Sequence, residues 1–457
     1  MSEGMNKQRI PRRILLALLS SLSAGVVPRA GAPFVAIGRD EELSLFLRDL
    51  DALGDRGSFF RFVIGKYGSG KSFLIQLMRV CALEKGFVCA DADLSPEKRI
   101  CGTKGSGLAT YRELMKNLSV KTSPDGGALP IVISKWISSL KSQTAADGFS
   151  PDSDDFEKEL SRRIYGVAGE LESAVGGFDF ANVIKSYYLA DRGGDEEKKS
   201  ACIRWLRGEF NTRTEAKKCL AVSDIIHDGN WFDYIKLLAL FVRKAGYGGL
   251  TVFLDECVNL YKIPNRVARE SNYEKLLAMY NDTLQGGSES LGIVMGGTPQ
   301  FLEDRRRGLF SYEALRSRLE GSRFESGEYK NIMGPVIRLR RLSDGELLAL
   351  IARVTRLHGD CYEWTPRVEP SHMEAYLRLC LERVGADSMI TQREIIRDYL
   401  SLLNILLQNE DADMNKLLLT CDGPVSDRKA EDELTEGEKT VRQETPASSF
   451  SPEDIEF

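Results

Sequence analysis

A glycine-rich motif directly after a short apolar run is the feature that most constrains the fold of this chain. Residues Gly65–Ser72 read Gly-Lys-Tyr-Gly-Ser-Gly-Lys-Ser, which satisfies the pattern G-x-x-x-x-G-K-[ST]. The preceding run, Phe59–Ile64, predicts a buried strand, and Ser72–Ala82 has the spacing of a helix. This order of strand, loop and helix predicts a phosphate-binding loop. The alternative is a chance glycine turn, which needs neither a buried strand before it nor a helix after it.

The residue types in the loop suit the phosphates of ATP. Glycines let backbone N–H groups approach the phosphates, and the start of the helix adds positive potential. We expect Lys71 to reach the β- and γ-phosphates and the Ser72 hydroxyl to bind Mg²⁺, so that ATP and Mg²⁺ are the predicted cofactors. The predicted cofactor-binding residues of this segment are Gly65, Lys66, Tyr67, Gly68, Ser69, Gly70, Lys71, Ser72 and Phe73.

A second apolar strand, Thr251–Leu254, ends in two acids, Asp255 and Glu256. This is the form of a Walker B element, in which Asp255 would hold Mg²⁺ and Glu256 would polarise the attacking water, and it predicts an ATPase. Acids at a solvated strand end by chance are the alternative for this motif taken alone. Asp91 and Asp93 form a rival pair, ranked second because their strand follows the P-loop helix directly.

Two further segments carry candidate catalytic residues. Thr298 follows the apolar run Leu291–Met295 and two glycines, and we expect it to contact the water or the γ-phosphate; the alternative is a turn formed by Gly-Gly-Thr-Pro. Arg316 and Arg318 lie in a helical pattern, where one of them could meet the phosphate of a neighbouring subunit. The alternative is that both arginines belong to a solvated helix face.

Short apolar runs separated by helical patterns predict an α/β fold with a parallel sheet, a large helical insertion and a C-terminal helical lid. Besides Phe59–Ile64, the predicted strands are Phe87–Ala90, Leu250–Leu254 and Leu291–Met295. The predicted segments are an N-terminal helix and linker (1–35), the first part of the P-loop core (36–97), the insertion (98–249), the second part of the core (250–340), the lid (341–421) and a disordered acidic tail (422–457).

Composition excludes several classes of protein. With 62 Lys and Arg against 67 Asp and Glu, the chain has a net charge of -5 and no global basic field for nucleic acid. Nine cysteines without a C-x-x-C pair and three histidines without metal-ligand spacing fit a reducing cytoplasm.

The apolar run Ile14–Leu19 after basic residues superficially resembles a secretory signal, but it breaks at Ser20. We therefore expect a short packing or partner-binding helix and no membrane span.

The P-loop, acidic strand, polar strand end and helical lid together resemble AAA+ ATPases of the branch that includes origin-recognition and signal-transduction ATPases. Gly38 and Arg39, in Ile37-Gly38-Arg39-Asp40-Glu41-Glu42-Leu43, resemble that branch's box next to the adenine site. Arg393, in Ile390-Thr391-Gln392-Arg393-Glu394, is placed like the lid's sensor-2 arginine. The resemblance therefore implies that Gly38, Arg39 and Arg393 contact the nucleotide.

More narrowly, the chain resembles the ATP-binding protein D family of bacteriophage-exclusion (BREX) systems. The resemblance covers most of residues 25–407 and is carried by Phe62–Ser72, Ala90–Pro96, Gly107–Leu114, Gly296–Pro299 and Tyr312–Leu319. It implies a role in defence against phage DNA, with other defence-system proteins such as a helicase as partners. Double-stranded DNA is a candidate partner, and a homo-oligomer is expected in the ATP-bound state.

Two functional hypotheses follow, with a weaker third. The first is a motor or switch ATPase that acts on DNA or a DNA-bound complex, with basic clusters such as residues 305–307 and 338–341 as candidate contacts. The second is an adaptor in which ATP closes the lid and exposes a surface for a helicase or nuclease. A small-molecule kinase is the third, but the chain lacks a second phosphate-acceptor motif.

Overall fold

The structure, a computed structural model, describes residues 10–102, 105–172, 176–321, 331–382 and 390–420. The predicted disordered tail, residues 422–457, lies outside the described residues. Residues 383–389 and 421 of the predicted lid segment also lie outside them.

Five strands form one parallel sheet at the centre of the fold, in the order β2-β3-β4-β1-β5. The strands are β1 (Phe59–Ile64), β2 (Val88–Asp93), β3 (Leu250–Asp255), β4 (Leu291–Gly297) and β5 (Val336–Arg338). The predicted α/β class with a parallel sheet is confirmed. The sequence prediction had four strands and missed β5, because three residues are too few to display a strand period.

Helices account for most of the remaining described chain. Before and after the P-loop lie α1 (Arg12–Ser23), α2 (Asp40–Gly54) and α3 (Lys71–Glu84). The insertion between β2 and β3 contains α4 (Ser106–Lys116), α5 (Leu129–Ala146), α6 (Asp154–Glu172), α7 (Gly177–Gly193), α8 (Glu196–Leu206), α9 (Arg213–Leu220) and α10 (Trp231–Lys244). The later helices are α11 (Val258–Tyr261), α12 (Arg266–Leu284), α13 (Pro299–Glu303), α14 (Glu313–Leu319), α15 (Asp344–Tyr362), α16 (Pro370–Glu382), α17 (Gln392–Gln408) and α18 (Met414–Thr420).

The sheet is buried on both faces, and this is why its strands are almost continuously apolar. Phe60 and Phe62 of β1 belong to the hydrophobic cluster that contains the insertion helices. Phe59 and Val63 face the other way, into a cluster with α2 and α3. The alternation of side chains along the strand therefore joins the insertion to one face of the sheet and the P-loop helix to the other.

The N-terminal helix α1 packs on the C-terminal lid. Leu15, Leu18 and Leu19 of α1 share a hydrophobic cluster with residues of α15, α16 and α17. Serine and glycine residues end α1, with Gly25 in the left-handed conformation at φ +66°. Within the described ranges, no helix combines the length and apolar character needed to cross a membrane.

The lid contains a buried histidine whose hydrogen bonds define its neutral tautomer. His358 is 1% exposed, and its Nδ1 lies 3.0 Å from the indole Nε1 of Trp364. The indole only donates, so Nδ1 accepts and the proton sits on Nε2, which lies 3.0 Å from the Asn404 Oδ1. Burial lowers the pKa of His358, with the Asn404 hydrogen bond acting in the opposite direction.

The lowered pKa of His358 predicts that the lid loses stability in mild acid. At pH values above the unfolded-state pKa of histidine, about 6.5, both states are neutral and the full stability is present. As the pH falls below that value the unfolded state takes up the proton first, so the free energy of unfolding decreases. Urea titrations at pH 7.5 and 5.5 check this: between the two pH values, the free energy of unfolding should decrease less for His358→Gln than for the unsubstituted protein. An equal loss for His358→Gln would contradict the prediction.

Candidate nucleotide-binding site

The P-loop joins β1 to α3 and depends on glycines where side chains would not fit. Gly68 and Gly70 have φ angles of +73° and +88°, a left-handed region that favours glycine. The Gly65 N–H donates to the Gly297 carbonyl at 3.1 Å, which ties the loop to the end of β4. A Cβ on Gly65 would lie 2.3 Å from the Ser69 Oγ, so the loop closes only around a bare backbone.

Lys71 lies at the start of α3 with its ammonium group turned back over the loop. Its Nζ donates to the Lys66 carbonyl at 3.3 Å. Burial lowers the pKa of Lys71, while the charges of Asp255 and Glu256 act to raise it. The loop lysine therefore sits in the field of both acids at the end of β3.

The acids at the end of β3 occupy distinct environments. Asp255 is 7% exposed, and its Oδ1 accepts the Glu256 N–H at 2.8 Å. A Cβ on Gly296 would lie 2.3 Å from this Oδ1, so the glycine in β4 leaves room for the carboxylate. Glu256 is exposed and has a φ of +55°, which is uncommon for a residue with a Cβ and costs about 1–3 kcal/mol.

The rival pair on β2 separates into two roles. The Asp91 Oδ1 accepts from the Arg79 Nε at 2.9 Å, so this carboxylate fastens β2 to α3. Asp93 is in register with Asp255 on the adjacent strand. Partial removal from solvent raises the pKa of Asp93, and the negative charge of Asp255 raises it further. The structure therefore places Asp93, and not Asp91, beside the β3 acids.

A cleft that is open to solvent runs between the P-loop, the N-terminal segment and the lid. Its polar wall is formed by the P-loop and Glu256. Its apolar wall comes from elements that are distant in sequence. The apolar lining residues are Leu22, Val26, Val27, Pro28, Val35, Ile37, Leu342, Leu350 and Ile396.

Most of the predicted cofactor-binding residues meet at this cleft. The predicted residues that line it are Arg39, Tyr67, Gly68, Gly70, Lys71, Ser72, Phe73, Glu256 and Arg393. Gly65, Lys66 and Ser69 build the loop without lining the cleft, and Asp255 lies at the adjoining strand end. Gly38, predicted beside the adenine, does not line the cleft; it has a φ of +67°, and a Cβ there would lie 2.3 Å from a Glu346 carboxylate oxygen.

Arg39 braces the P-loop from within the protein. It is 3% exposed, and its Nη2 donates to the Ser69 carbonyl at 2.7 Å. Both Nη atoms also donate to the Arg340 carbonyl at 3.2 Å, at the end of the sheet that precedes the lid. Burial lowers the pKa of Arg39, and nearby Glu42 opposes this effect. The side chain thus connects the loop backbone with the chain that leads into the lid.

The remaining candidates lie outside the cleft. Thr298 is half-buried and caps α13, since its Oγ1 accepts the Phe301 N–H at 3.3 Å. Its neighbour Gly297 bonds to Gly65, so the end of β4 adjoins the P-loop. Arg316 pairs with Glu313 at 3.5 Å, and Arg318 donates to a carbonyl of its own helix. Neither arginine reaches the cleft of its own chain.

Sequence reasoning missed two parts of this site. Val26, Val27 and Pro28 form part of the apolar wall, although nothing in their sequence marks them as lining residues. Thr391 and Gln392, at the start of α17, line the cleft beside Arg393. Here a signal existed, because Thr391 and Glu394 form a capping box and the pattern T-x-x-E marks the start of a helix.

The cleft fits a nucleoside triphosphate. Left-handed glycines offer backbone N–H groups to phosphates, and the apolar wall suits a base. Ser69 Oγ and Gln392 Nε2 are buried and have no hydrogen-bond partner among the described residues. In the same ranges no cluster of three or more His, Cys, Asp or Glu could hold a metal alone, so Mg²⁺ would need phosphate and water oxygens besides Ser72 and Asp255.

The fold and the cleft define a P-loop nucleotide-binding protein. In a comparison with protein families, the model of the BREX system ATP-binding protein BrxC/D covers residues 10–421. The match extends over most of the chain, and the protein therefore belongs to this family of BREX ATP-binding proteins. A search of curated proteins finds no match.

Proposed function

We propose that this protein is a Mg²⁺-dependent ATPase of a BREX-type anti-phage defence system, located in the cytoplasm. The observation that supports hydrolysis best is the arrangement of Lys71 in the field of Asp255 and Glu256, with Glu256 at the cleft in a strained conformation. A residue kept in such a conformation is a candidate for function. A glycine in place of Glu256 would adopt the same positive φ without the cost in conformational energy.

Each residue at the cleft then has a role that its position allows. Lys71 leaves the Lys66 carbonyl to hold the β- and γ-phosphates, while the loop N–H groups surround them. Ser72 and Asp255 hold Mg²⁺, which supplies charge neutralisation when bound. Glu256 orients water and accepts its proton, and Thr298 donates a hydrogen bond near the γ-phosphate.

The lid and a second subunit complete the proposed mechanism. Arg393 contacts the phosphates from the lid, and its stem lies 3.5 Å from where a Cβ on Gly25 would be. Arg316 or Arg318 acts in a neighbouring subunit of an ATP-bound homo-oligomer, which is consistent with their distance from the cleft of their own chain. Arg306 and its neighbours form an exposed basic segment that could contact double-stranded DNA.

The experiment for the proposal is ATP hydrolysis by the purified protein with and without double-stranded DNA. We expect turnover to increase with DNA, to weaken steeply with salt, and to be lost in Lys71→Ala. Lys85→Ala, at the end of the same helix and paired with exposed Asp51, is the matched control and should retain activity. Absence of turnover under all conditions, with partner proteins included, would overturn the ATPase proposal.

A nucleotide-controlled adaptor for a helicase or nuclease is the second candidate. It is favoured by the direct packing of the lid against the P-loop, where a Cβ on Gly68 would lie 2.6 Å from the Thr391 Cγ2. Slow turnover that is indifferent to DNA, together with ATP-dependent recruitment of a partner, would favour this function over DNA action.

A further inference from the structure

The lid places an amide side chain in the polar part of the nucleotide cleft. Gln392 is the first residue of α17, and it lines the cleft between Thr391 and Arg393. Its Oε1 lies 3.7 Å from the position that a Cβ on Gly70 would occupy. The amide is therefore adjacent to the last glycine before Lys71, in the part of the loop proposed to bind the phosphates.

The Gln392 amide nitrogen has no acceptor in the described part of the chain. Its Nε2 is buried, yet no described residue accepts a hydrogen bond from it. Buried side-chain donors are almost always paired, so an unpaired one inside a ligand cleft indicates a partner that the ligand supplies. Phosphate oxygens are strong acceptors, and hydrogen bonds to charged groups are the stronger kind.

The start of α17 is held in contact with the P-loop, so the amide does not depend on a mobile position. Thr391 fills the space above Gly68. The capping box fixes the same turn, since the Thr391 Oγ1 accepts from the Glu394 N–H at 3.3 Å and the Glu394 carboxylate accepts from the Thr391 N–H at 2.7 Å. Tyr376 also donates to the Ile395 carbonyl at 2.7 Å, one turn further along.

We propose that Gln392 is a nucleotide-sensing residue of the lid, whose amide donates a hydrogen bond to the phosphate chain of a nucleoside di- or triphosphate. Through it, the phosphates bridge the lid to the P-loop. The proposal rests on the nucleotide binding proposed above, and adds a positioning residue beside Arg393. A nucleoside monophosphate lacks the phosphates that reach this part of the loop and does not form the bridge.

The test compares ATP, ADP and AMP binding by calorimetry in the full-length protein and in Gln392→Met. Methionine has a similar shape but no donor. We expect the dissociation constants for ATP and ADP to rise by about tenfold to a hundredfold, as is usual for a lost hydrogen bond to a charged group, and that for AMP to stay the same. Gln392→Glu should weaken ATP binding further, because it places a carboxylate beside the phosphates.

A second measurement separates sensing from a structural role. Without nucleotide, Gln392→Met should melt at the same temperature as the unsubstituted protein or higher, because the unpaired donor is removed. Gln408→Met, at the exposed far end of the same helix, is the control for the substitution itself. Unchanged ATP and ADP affinity in Gln392→Met, or a lower melting temperature without nucleotide as its main effect, would overturn the proposal.

The outcome for the unsubstituted protein separates this inference from the proposed function. If the unsubstituted protein binds no ATP, the proposed function fails. If it binds ATP and Gln392→Met binds equally well, only the role of Gln392 fails.

Discussion

Replacing Glu256 by glutamine is expected to lower the rate of ATP hydrolysis by about a hundredfold to ten-thousandfold, the usual contribution of a general base. The amide preserves the shape of the side chain but cannot accept a proton from water. ATP binding should persist, because Lys71 and the loop backbone remain in place, and the trapped complex should accumulate any ATP-dependent oligomer. Steady-state turnover and calorimetry on the same preparation measure both effects.

Glu97→Gln is the matched control for this substitution, because Glu97 is an exposed acid in the loop after β2. It should hydrolyse ATP at the unsubstituted rate. If Glu256→Gln also retained that rate, the base would have to be another group, and Asp93, in register with Asp255 on the neighbouring strand, would be the next residue to substitute.

Replacing Asp49 by alanine is expected to decrease the free energy of unfolding by about 3–5 kcal/mol, the cost of leaving a buried charge without its partner. Asp49 on α2 forms two hydrogen bonds with Arg61 on β1, at 2.6 and 2.8 Å. The two side chains are only 11% and 12% exposed. Arg61 also donates to the carbonyls of Met333 and Gly334 just before β5, so the loss should loosen that edge of the sheet as well.

Asp51→Ala provides a matched comparison two residues along the same helix. Asp51 pairs with Lys85 across an exposed surface, with 68% of the acid's side chain accessible. Its removal should change the free energy of unfolding by less than about 1 kcal/mol. Urea denaturation of the three proteins measures the difference, and equal stabilities for the two variants would contradict the assignment of Arg61 as a buried charge that needs Asp49.

The sequence predicted the parts of the site that depend on local chain geometry. Glycines between a buried strand and a helix predict the P-loop at Gly65–Ser72. The two acids at the end of β3 predict the other half of the polar wall of the cleft. Both motifs lie at carboxyl ends of parallel strands, so the fold brings them together without further information. Whether these residues catalyse hydrolysis stays a prediction.

The parts that were missed depend on contacts between distant segments. Arg39 was predicted at the site, but its hydrogen bonds to the Ser69 and Arg340 carbonyls were not, because main-chain acceptors leave no trace in a sequence. Val26 and Val27 became the apolar wall only because α1 packs on the lid. β5 was missed although Val336 and Ile337 favour strands, because three residues are too few to show a strand period and its pairing with β1 is a contact between distant segments.

The packing of α1 on the lid also determines which contacts can form while the chain is being synthesised. Arg39 and Arg340 are 301 residues apart, so a ribosome adding about 5–20 residues per second needs about 15–60 s between them. For most of that interval the P-loop is already made, but Leu342, Leu350 and Ile396 of the apolar wall are not. The lid helices that cover the apolar face of α1 are also still to be made. At that stage a nascent chain therefore leaves the apolar face of α1 exposed and does not yet have a complete nucleotide cleft.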